Sequence, residues 1–460
     1  MKHVHLIGIG GTGLSAIARV LLESGYIVSG SDRQSSPLAE SLKASGARLF
    51  LGHQPGNVGE ADLVVRSSAV RDDNVEVRAA LSKGIPVLKR AEFLGQILTG
   101  RQVIAVAGTH GKTSTTAMIA WMLTKMGHHP GFIVGSMITD LGVNARAGED
   151  PVFVIEADEY DRMFLGLQPH IAVVTNVEHD HPDCYPTPED FSAAFQDFVR
   201  CVEPGGLVLA CGDDPGALDL QAAAEGKQVR WSTYGIYNSQ NIFQARNLEI
   251  DSNHGSYQFD ILLEEERLCQ MNLKVPGVHN VQNALAALAV ADQMGLSVME
   301  AAKALSSFQG TARRFEIVGE AQGVCVISDY AHHPTEIRAT LAAARSRFPE
   351  QEIWTVWQPH TYSRTQLLFD DFVTSFENAD HVVVTEIYYA REPHDPYFSS
   401  EKVVQAMEHA DARFISDLPD VVHFLLEHLQ VGAVLVVLSA GDADQICGQV
   451  LTGLNKNPEK

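Results

Sequence analysis

Short apolar runs alternate with amphipathic stretches along most of the chain. Near its start, "HVHLIGI", "YIVSGSD" and "ADLVVRSSAV" have the length and composition of buried strands, whereas "GLSAIARVLLESG" has the periodicity of a helix. Similar runs follow from Val103 ("VIAVAG", "PVFVIEAD", "HIAVVTNV") and from about Ala312 ("GVCVISDY", "EIWTVWQP", "AVLVVLSAGD"). Strands that alternate with helices predict parallel sheets with helices on both faces.

The three series predict three α/β domains, each with a mostly parallel sheet flanked by helices. We expect boundaries at residues 1–100, 101–311 and 312–460, because polar "LTGRQ" separates the first two series and 460 residues exceed one core. The first and last domains are expected to be Rossmann-like and the central one P-loop-like. In the central block, "NIFQARNLEIDSNHGSYQFDILL" alternates apolar and polar positions, which predicts antiparallel strands at one edge of its sheet.

The first strand runs into a glycine-rich loop with the pattern G-x-G-x-x-G. This loop precedes a helix, and Asp32 ends the next strand, where it is expected to accept a hydrogen bond from a ribose hydroxyl. The candidate ligands of a nucleotide diphosphate are Gly8, Gly10, Gly11, Thr12, Gly13 and Asp32. The pattern does not specify NAD, and a tight turn without a ligand is the alternative interpretation.

A second glycine loop, "GTHGKTS", follows the strand that begins at Val103. It is shorter than a Walker A motif, yet Lys112 can reach the β- and γ-phosphates of a nucleotide and the Thr113 hydroxyl can bind Mg²⁺. The candidate ATP-binding residues here are Gly108, Thr109, His110, Gly111, Lys112, Thr113 and Ser114. The protein therefore has two phosphate-type loops, which predicts two nucleotide-containing ligands.

Acidic side chains cluster at the ends of the two later strands of this block. The clusters comprise Glu156, Asp158, Glu159 and Asp161 after one strand, and Glu178, His179, Asp180 and His181 after the next. Mg²⁺ prefers oxygen ligands, so a metal role is predicted for at least one member, although most are expected to be solvated loop charges.

Composition narrows the range of partners. The formal net charge is −23, so the surface should repel nucleic acid and anionic membranes. The six cysteines are scattered without a C-x-x-C pair, which suits a reducing compartment. No apolar run of 18 residues and no signal peptide are apparent, so a cytoplasmic protein without membrane insertion is expected.

Eight motifs in order make the chain resemble the Mur ligase family over nearly its whole length. They are "GIGGTGLSAIA", "AGTHGKTSTT", "ADEYDRMFL", "DHPDCY", "HNVQNALAA", "GTARRFE", "DYAHHPTEI" and "QPHTYSRT". The resemblance implies an ATP-dependent enzyme of peptidoglycan precursor synthesis that activates a carboxylate as an acyl phosphate, joins it to an amine and releases ADP and phosphate. It also implies that the first loop binds a UDP sugar and the second binds ATP.

The resemblance further implies roles for individual residues. Thr113, Glu159 and His181 are similar to the Mg²⁺ ligands of the family, and Ser67 and Ser68 join the UDP-sugar site. Asn280 and Asn283 resemble the residues that contact adenine, and Arg314 and Asp329 those that reach the nucleotide. Tyr330, His332, His360 and Arg364 fall where the family holds the amino acid and the muramate end. Lys112, Arg314 and His332 are the expected catalytic residues, with His332 or a carboxylate as the base for the amine.

Within the family, the branch that adds L-alanine to UDP-N-acetylmuramate is expected, because "PEDFSAAFQDFVR" lacks the lysine common in later-acting members. Tyr160 in "ADEYD" and Thr361 in "QPHTYSRT" depart from that branch, so a tripeptide ligase of cell-wall recycling is the alternative. An NAD-dependent oxidoreductase is a further alternative that leaves Lys112 and the acidic clusters unexplained. A non-catalytic nucleotide-binding regulator is the last alternative, and it would show no turnover.

Overall fold

The structure is a computed structural model that describes residues 2–251 and 255–456. Its contacts divide the chain into two compact units. Of the described residues, the first unit comprises 2–178, 188–244 and 284–305, and the second comprises 179–187, 245–251, 255–283 and 306–456.

The first unit begins with a parallel five-stranded sheet. Its strands are β1 (His3–Ile7), β2 (Ile27–Asp32), β3 (Arg48–Leu51), β4 (Leu63–Arg66) and β5 (Val87–Lys89), in the order β3-β2-β1-β4-β5. The accompanying helices are α1 (Thr12–Glu23), α2 (Pro37–Ala44), α3 (Val75–Ser82) and α4 (Arg90–Ile97), with a 3₁₀ turn at Pro55–Val58. The strand order changes direction beside β1, and the first glycine loop follows β1 at its carboxyl end, where ligands of such sheets bind.

A second sheet occupies the rest of the first unit. Its strands there are β6 (Gln102–Ala107), β7 (Gly131–Ile138), β8 (Val143–Arg146), β9 (Val152–Glu156), β10 (Ile171–Val174), β11 (Leu207–Cys211) and β12 (Arg230–Gly235), in the order β12-β11-β10-β6-β9-β7-β8. The helices are α5 (Lys112–Lys125), α6 (Pro188–Arg200), α7 (Pro215–Leu218), α8 (Gln221–Glu225), α9 (Val278–Gln293, from Ala284 onward) and α10 (Val298–Leu305), with a 3₁₀ segment at Tyr160–Gly166. All strand pairs except β7 and β8 are parallel.

The second unit contains a β-meander and a third sheet. The meander consists of β13 (Phe243–Asp251), whose first two residues pair with β12, then β14 (Ser256–Leu263) and β15 (Glu266–Leu273). The third sheet consists of β16 (Glu316–Ala321), β17 (Val324–Asp329), β18 (Ile353–Gln358), β19 (His381–Val384), β20 (Ala412–Phe414) and β21 (Val434–Ser439), in the order β16-β17-β21-β18-β19-β20. Its helices are α11 (Pro334–Arg347), α12 (Tyr362–Leu367), α13 (Phe369–Val373), α14 (Ser400–Ala406), α15 (Leu418–His428) and α16 (Gln445–Lys456).

The predicted fold class is confirmed, because all three sheets are mostly parallel and flanked by helices. The apolar runs became strands buried on both faces: every residue of β10, β18 and β21 is buried. The predicted antiparallel pairing is confirmed for β14 and β15. Residues 252–254 of the same alternating segment, and 457–460 of the last predicted domain, lie outside the described residues. The predicted domain boundaries stay a prediction.

A buried carboxylate holds the first sheet together behind its glycine loop. Glu76 is fully buried and accepts hydrogen bonds from Ser31 Oγ at 2.5 Å, Asn57 Nδ2 at 2.6 Å and the Gln54 amide at 3.0 Å. Its Oε2 also lies 3.3 Å from His5 Nε2. Burial alone would raise the pKa of Glu76, but the bonds to His5, Ser31 and Asn57 lower it from 4.5 to about 2.

We expect Glu76→Gln to lower the free energy of unfolding of this region by about 3 kcal/mol at pH 7, given 1.36 kcal/mol per pKa unit. Because the pKa is lower in the folded protein, the stabilisation is complete above pH 4.5 and is lost as the pH falls towards 2. Amide hydrogen exchange of peptides that cover β1 and β2 measures the effect. The exposed Glu60→Gln is the control, and equal exchange rates in both variants would contradict the prediction.

Candidate functional site

The first glycine loop is held by its own sheet. The amides of Gly8 and Ile9 both donate to Ser31 O, at 2.8 and 3.2 Å. Asp32 Oδ2 accepts from the Gly10 amide at 2.9 Å, so this carboxylate shapes the loop as well as ending β2. The predicted UDP-sugar residues lie together at this sheet edge: Gly8, Gly10 and Gly11 between β1 and α1, Thr12 and Gly13 at the start of α1, Asp32 at the end of β2, and Ser67 and Ser68 after β4.

Arg90 is a basic residue of this edge that the motifs did not reveal. Its guanidinium lies so close to Gly13 that a Cβ at position 13 would overlap it. Arg90 Nη2 also donates to Asp158 Oδ2 at 2.7 Å. One cation therefore joins the first glycine loop to the acidic segment that follows β9.

The second glycine loop connects β6 to α5 and surrounds the Lys112 ammonium. Gly108 has φ of +139°, and a Cβ there would overlap Thr175 Oγ1, so only glycine fits. Lys112 Nζ donates to Gly108 O at 2.5 Å, Thr109 O at 2.9 Å and Glu159 Oε1 at 3.0 Å. Burial alone would lower the pKa of Lys112, but the charge of Glu159 raises it above 10.5. The ammonium is therefore fixed and protonated.

The strand order brings carboxylates to both sides of this loop. β6 lies between β9 and β10, so the acidic segments that follow those two strands flank it. Glu156, the last residue of β9, accepts from Thr113 Oγ1 at 3.0 Å and from the Gly135 amide at 2.6 Å. Glu159 is 1% exposed. A hydroxyl and two carboxylates side by side form the oxygen donor set that Mg²⁺ prefers.

The segment after β10 fixes the backbone of the second loop. Asn176 Oδ1 accepts from the His110 amide at 2.8 Å, while its Nδ2 donates to His110 O at 3.2 Å. Thr109 Oγ1 donates to Glu178 O at 2.8 Å, and His110 Nε2 lies 2.8 Å from Glu178 Oε2. The prediction did not include Asn176, although its place at a strand end beside the acidic cluster was a usable signal.

The second unit gathers aromatic and imidazole rings beyond β17 and β18. The rings of Tyr330 and His332 are 5.3 Å apart, those of His332 and His360 are 5.9 Å apart, and His360 stacks on Tyr388 at 5.8 Å. Burial lowers the pKa of His332 to about 3 and that of His360 to about 4, and the charge of Arg364 adds to both effects. Both imidazoles are therefore neutral at physiological pH.

Arg364 is bound to a carboxylate within the same unit. Its Nε and Nη2 donate to the two oxygens of Asp180, at 2.8 and 3.2 Å, and its Nη1 donates to His360 O at 2.7 Å. Both side chains of the ion pair are at most 6% exposed. Burial would raise the pKa of Asp180, but the charge of Arg364 holds it well below 3.8. His181 follows directly, with its Nδ1 3.5 Å from Arg364 Nη2.

The predicted nucleotide residues of the second unit lie on α9 and around the end of β17. Asn280 Nδ2 donates to Pro276 O at 2.7 Å, and Asn283 Nδ2 donates to Asn280 Oδ1 at 3.1 Å. Asp329 accepts from the amides of Phe315 and Ala331, both at 2.7 Å. Burial raises the pKa of Asp329 to about 6, although the charge of Arg314 acts to lower it.

Comparison with protein families decides the affiliation. The chain matches "Mur ligase family, catalytic domain" over residues 3–102, "Mur ligase middle domain" over 106–291 and "Mur ligase, glutamate ligase domain" over 313–441. Together these matches cover most of the chain. The chain belongs to the Mur ligase family.

Several members of the Mur ligase family align over almost the full length. Proteins named UDP-N-acetylmuramate–L-alanine ligase from Roseiflexus castenholzii and Nitratidesulfovibrio vulgaris are 42% and 41% identical, covering 99% and 98% of this chain and 98% and 99% of their own. A crystal structure of UDP-N-acetylmuramate-alanine ligase from Thermotoga maritima superposes with a TM-score of 0.83 at 29% identity, covering 99% of this chain and 100% of its own. A murein peptide ligase from Psychrobacter arcticus gives 0.72 at 28% identity, covering 99% of each chain.

The described part of this Mur ligase contains no helix with the length and apolar character needed to cross a bilayer. The predicted site residues divide between the two units. The two glycine loops and Glu159 belong to the first unit, and the second contains His181, Asn280, Asn283, Arg314, Asp329, Tyr330, His332, His360 and Arg364. The ligand assigned to each group stays a prediction.

Proposed function

We propose that this Mur ligase joins L-alanine to the carboxylate of UDP-N-acetylmuramate and converts ATP to ADP and phosphate. The observation that carries the proposal is the Lys112 ammonium, fixed in a glycine loop with strand-end carboxylates on both sides. The names of the relatives that align over nearly the full chain support the choice of substrates. The proposed substrates are UDP-N-acetylmuramate and L-alanine, with ATP and Mg²⁺ as cofactors. Neither nucleic-acid binding nor membrane insertion is part of the proposal.

In the proposed reaction, a carboxylate oxygen of the muramate attacks the γ-phosphorus of ATP, and ADP leaves with the electron pair of the broken P–O bond. The amine then attacks the acyl carbon, a C–N bond forms, and phosphate leaves. Lys112 acts in the first step, because a fixed cation stabilises charge on the transferred phosphoryl group without reorganisation. The backbone amides at the start of α5 favour the same anion.

The first glycine loop is proposed to bind the diphosphate of the UDP sugar. The amide-rich turn before α1 provides a site for an anion. Arg90, which lies against Gly13, adds a positive charge in a protein whose net charge is −23. Asp32 remains the proposed acceptor for a ribose hydroxyl, through the lone pairs that the Gly10 amide does not occupy.

Mg²⁺ is proposed to bind at Thr113 and Glu159, with Glu156 as an additional oxygen ligand. These residues fit the ion, since hydroxyl and carboxylate oxygens meet beside the loop that would hold the phosphates. When bound, Mg²⁺ neutralises phosphate charge. His181 is proposed for a second Mg²⁺, on the resemblance of "DHPD" to the family motif.

The residues of the second unit are proposed to serve the adenine and the amino acid. Asn280 and Asn283, which are hydrogen-bonded to each other on α9, are proposed to contact adenine. Arg314 and Asp329 are proposed to reach the nucleotide. Tyr330, His332, His360 and Arg364 are proposed for the amino acid and the muramate end, where Arg364 acts through its bond to His360 O. A cytoplasmic location completes the proposal and is supported by six free cysteines.

The proposal is tested by incubating the protein with ATP, Mg²⁺, UDP-N-acetylmuramate and one acceptor at a time. The expected result is the mass of the L-alanine adduct, formed only when all components are present. Ligation of a wall-derived tripeptide in preference to L-alanine would support the recycling alternative instead. Absence of any turnover would support a non-catalytic regulator, and oxidation of NADH would support the oxidoreductase.

The nucleotide product is expected to be ADP and phosphate, without AMP or pyrophosphate. Lys112, Thr113 and Glu159 lie around one loop, and a cation at the β- and γ-phosphates directs attack to the γ-phosphorus. Chromatography of the nucleotides after a single turnover measures this. Detection of AMP in proportion to the ligated product would contradict the assigned chemistry.

A further inference from the structure

Glu336 lies in the first turn of α11, between two predicted catalytic residues, and none of the motif-based roles includes it. Its side chain is 10% exposed. Glu336 Oε2 accepts from the His332 amide at 3.0 Å and lies 3.3 Å from His332 Nδ1, while Oε1 lies 3.7 Å from Arg314 Nη1. The carboxylate of Glu336 therefore contacts the backbone amide and the ring of His332 through one oxygen and the guanidinium of Arg314 through the other.

The surroundings of His332 determine which ring nitrogen carries the proton. Nδ1 lies 2.9 Å from Tyr330 O and 3.3 Å from Glu336 Oε2. A carbonyl oxygen and a carboxylate oxygen can only accept hydrogen bonds, so the single proton of the neutral ring must be on Nδ1. The lone pair that can accept a proton is therefore on Nε2.

Burial keeps this ring neutral, while the charged groups around it act in both directions. Burial is the largest influence, and Glu336 and Asp180 raise the pKa of His332 while Arg364 and His360 lower it, with the result at about 3. The ring is neutral at rest and so has one unprotonated nitrogen, as a proton acceptor requires. The nitrogen of a tetrahedral adduct is a much stronger acid than the free ammonium of an amino acid, so the ring can take its proton after the C–N bond has formed.

We propose that Glu336 is a positioning residue that holds His332 with the Nε2 lone pair directed to the nitrogen of the incoming amine. This inference rests on the proposed function and deepens it. The amino acid reacts as the free amine, its nitrogen forms the C–N bond and becomes positively charged, and one N–H proton passes to Nε2. Phosphate then leaves with its electron pair, and the imidazolium releases the proton to water.

The test separates attack by the amine from formation of the acyl phosphate. Hydroxylamine traps acyl phosphates as hydroxamates, and its weakly basic nitrogen gives an adduct acidic enough to lose a proton to water unaided. We expect Glu336→Gln to lower kcat with L-alanine about 100-fold, the scale of general acid–base catalysis. Hydroxamate formation from UDP-N-acetylmuramate and ATP should stay close to wild type, as should the KM values for both substrates.

Two further variants distinguish positioning from a structural effect. Glu336→Gln should cause no additional loss when combined with His332→Ala, because both changes remove the same function. Glu401→Gln, which removes an exposed acid from the first turn of α14 in the same unit, should have wild-type activity. Equal losses with L-alanine and hydroxylamine, or additive losses in the double variant, would overturn the inference. A wild-type enzyme that forms no hydroxamate would overturn the proposed function itself, and the inference with it.

Discussion

Replacement of Lys112 by alanine is expected to lower kcat on the order of 1000-fold or more, the usual effect of removing a fixed charge that stabilises a transferred phosphoryl group. The ammonium is held by two backbone carbonyls and Glu159, so its position does not depend on a mobile side chain. Binding of UDP-N-acetylmuramate should be nearly intact, because the loop proposed for it follows β1 and not β6. Steady-state kinetics and equilibrium binding of the UDP sugar measure the two effects separately.

The control for this experiment lies on the same helix. Lys125→Ala removes the same charge from an exposed position at the end of α5, at the opposite end of the helix from the glycine loop, and should leave kcat unchanged. Because Lys112→Ala also leaves Glu159 buried without its ion pair, thermal unfolding should be recorded alongside the kinetics. A folded Lys112→Ala protein with near-wild-type kcat would refute the assignment of this loop to ATP.

Replacement of Arg364 by methionine is expected to destabilise the second unit by about 3 to 5 kcal/mol, the typical cost of a buried charge left without its partner. Asp180 would keep its carboxylate at a site that is 5% exposed. Adding Asp180→Asn should recover most of the loss, since the remaining partner is then neutral. Hydrogen exchange in α12 and in residues 179–187 measures the change locally.

The stability that the Arg364–Asp180 ion pair provides should decrease at low pH. The pKa of Asp180 is lower in the folded protein than its ordinary 3.8, so the stabilisation is fully present above pH 3.8 and is lost as the pH falls through the folded value. The matched control is Arg338→Met, whose partner Asp371 is exposed and whose ion pair should contribute at most about 1 kcal/mol. An equal loss of free energy of unfolding in Arg364→Met and Arg338→Met would contradict the prediction, because burial would then add nothing to the contribution of the ion pair.

The sequence by itself determined the fold class and the two glycine loops. Each loop has a local signature in the sequence: an apolar strand, a glycine turn and a helix follow one another within about 25 residues. Gly8 to Gly13 and Gly108 to Lys112 could therefore be predicted residue by residue. The pattern also located an acidic cluster after β9, but within it only the resemblance to the family singled out Glu159.

Only the tertiary structure decided which distant side chains meet. The strand order β10-β6-β9 places acidic segments on both sides of one loop, and no local sequence pattern predicts this order. Asn176 is bonded to His110, 66 residues away, and Arg364 to Asp180, 184 residues away. No sequence prediction assigned a role to Glu336, and its contact with Arg314, which precedes β16, is visible only in the folded chain. Local periodicity encodes elements, whereas contacts between them arise from strand order and packing, which involve the whole chain at once.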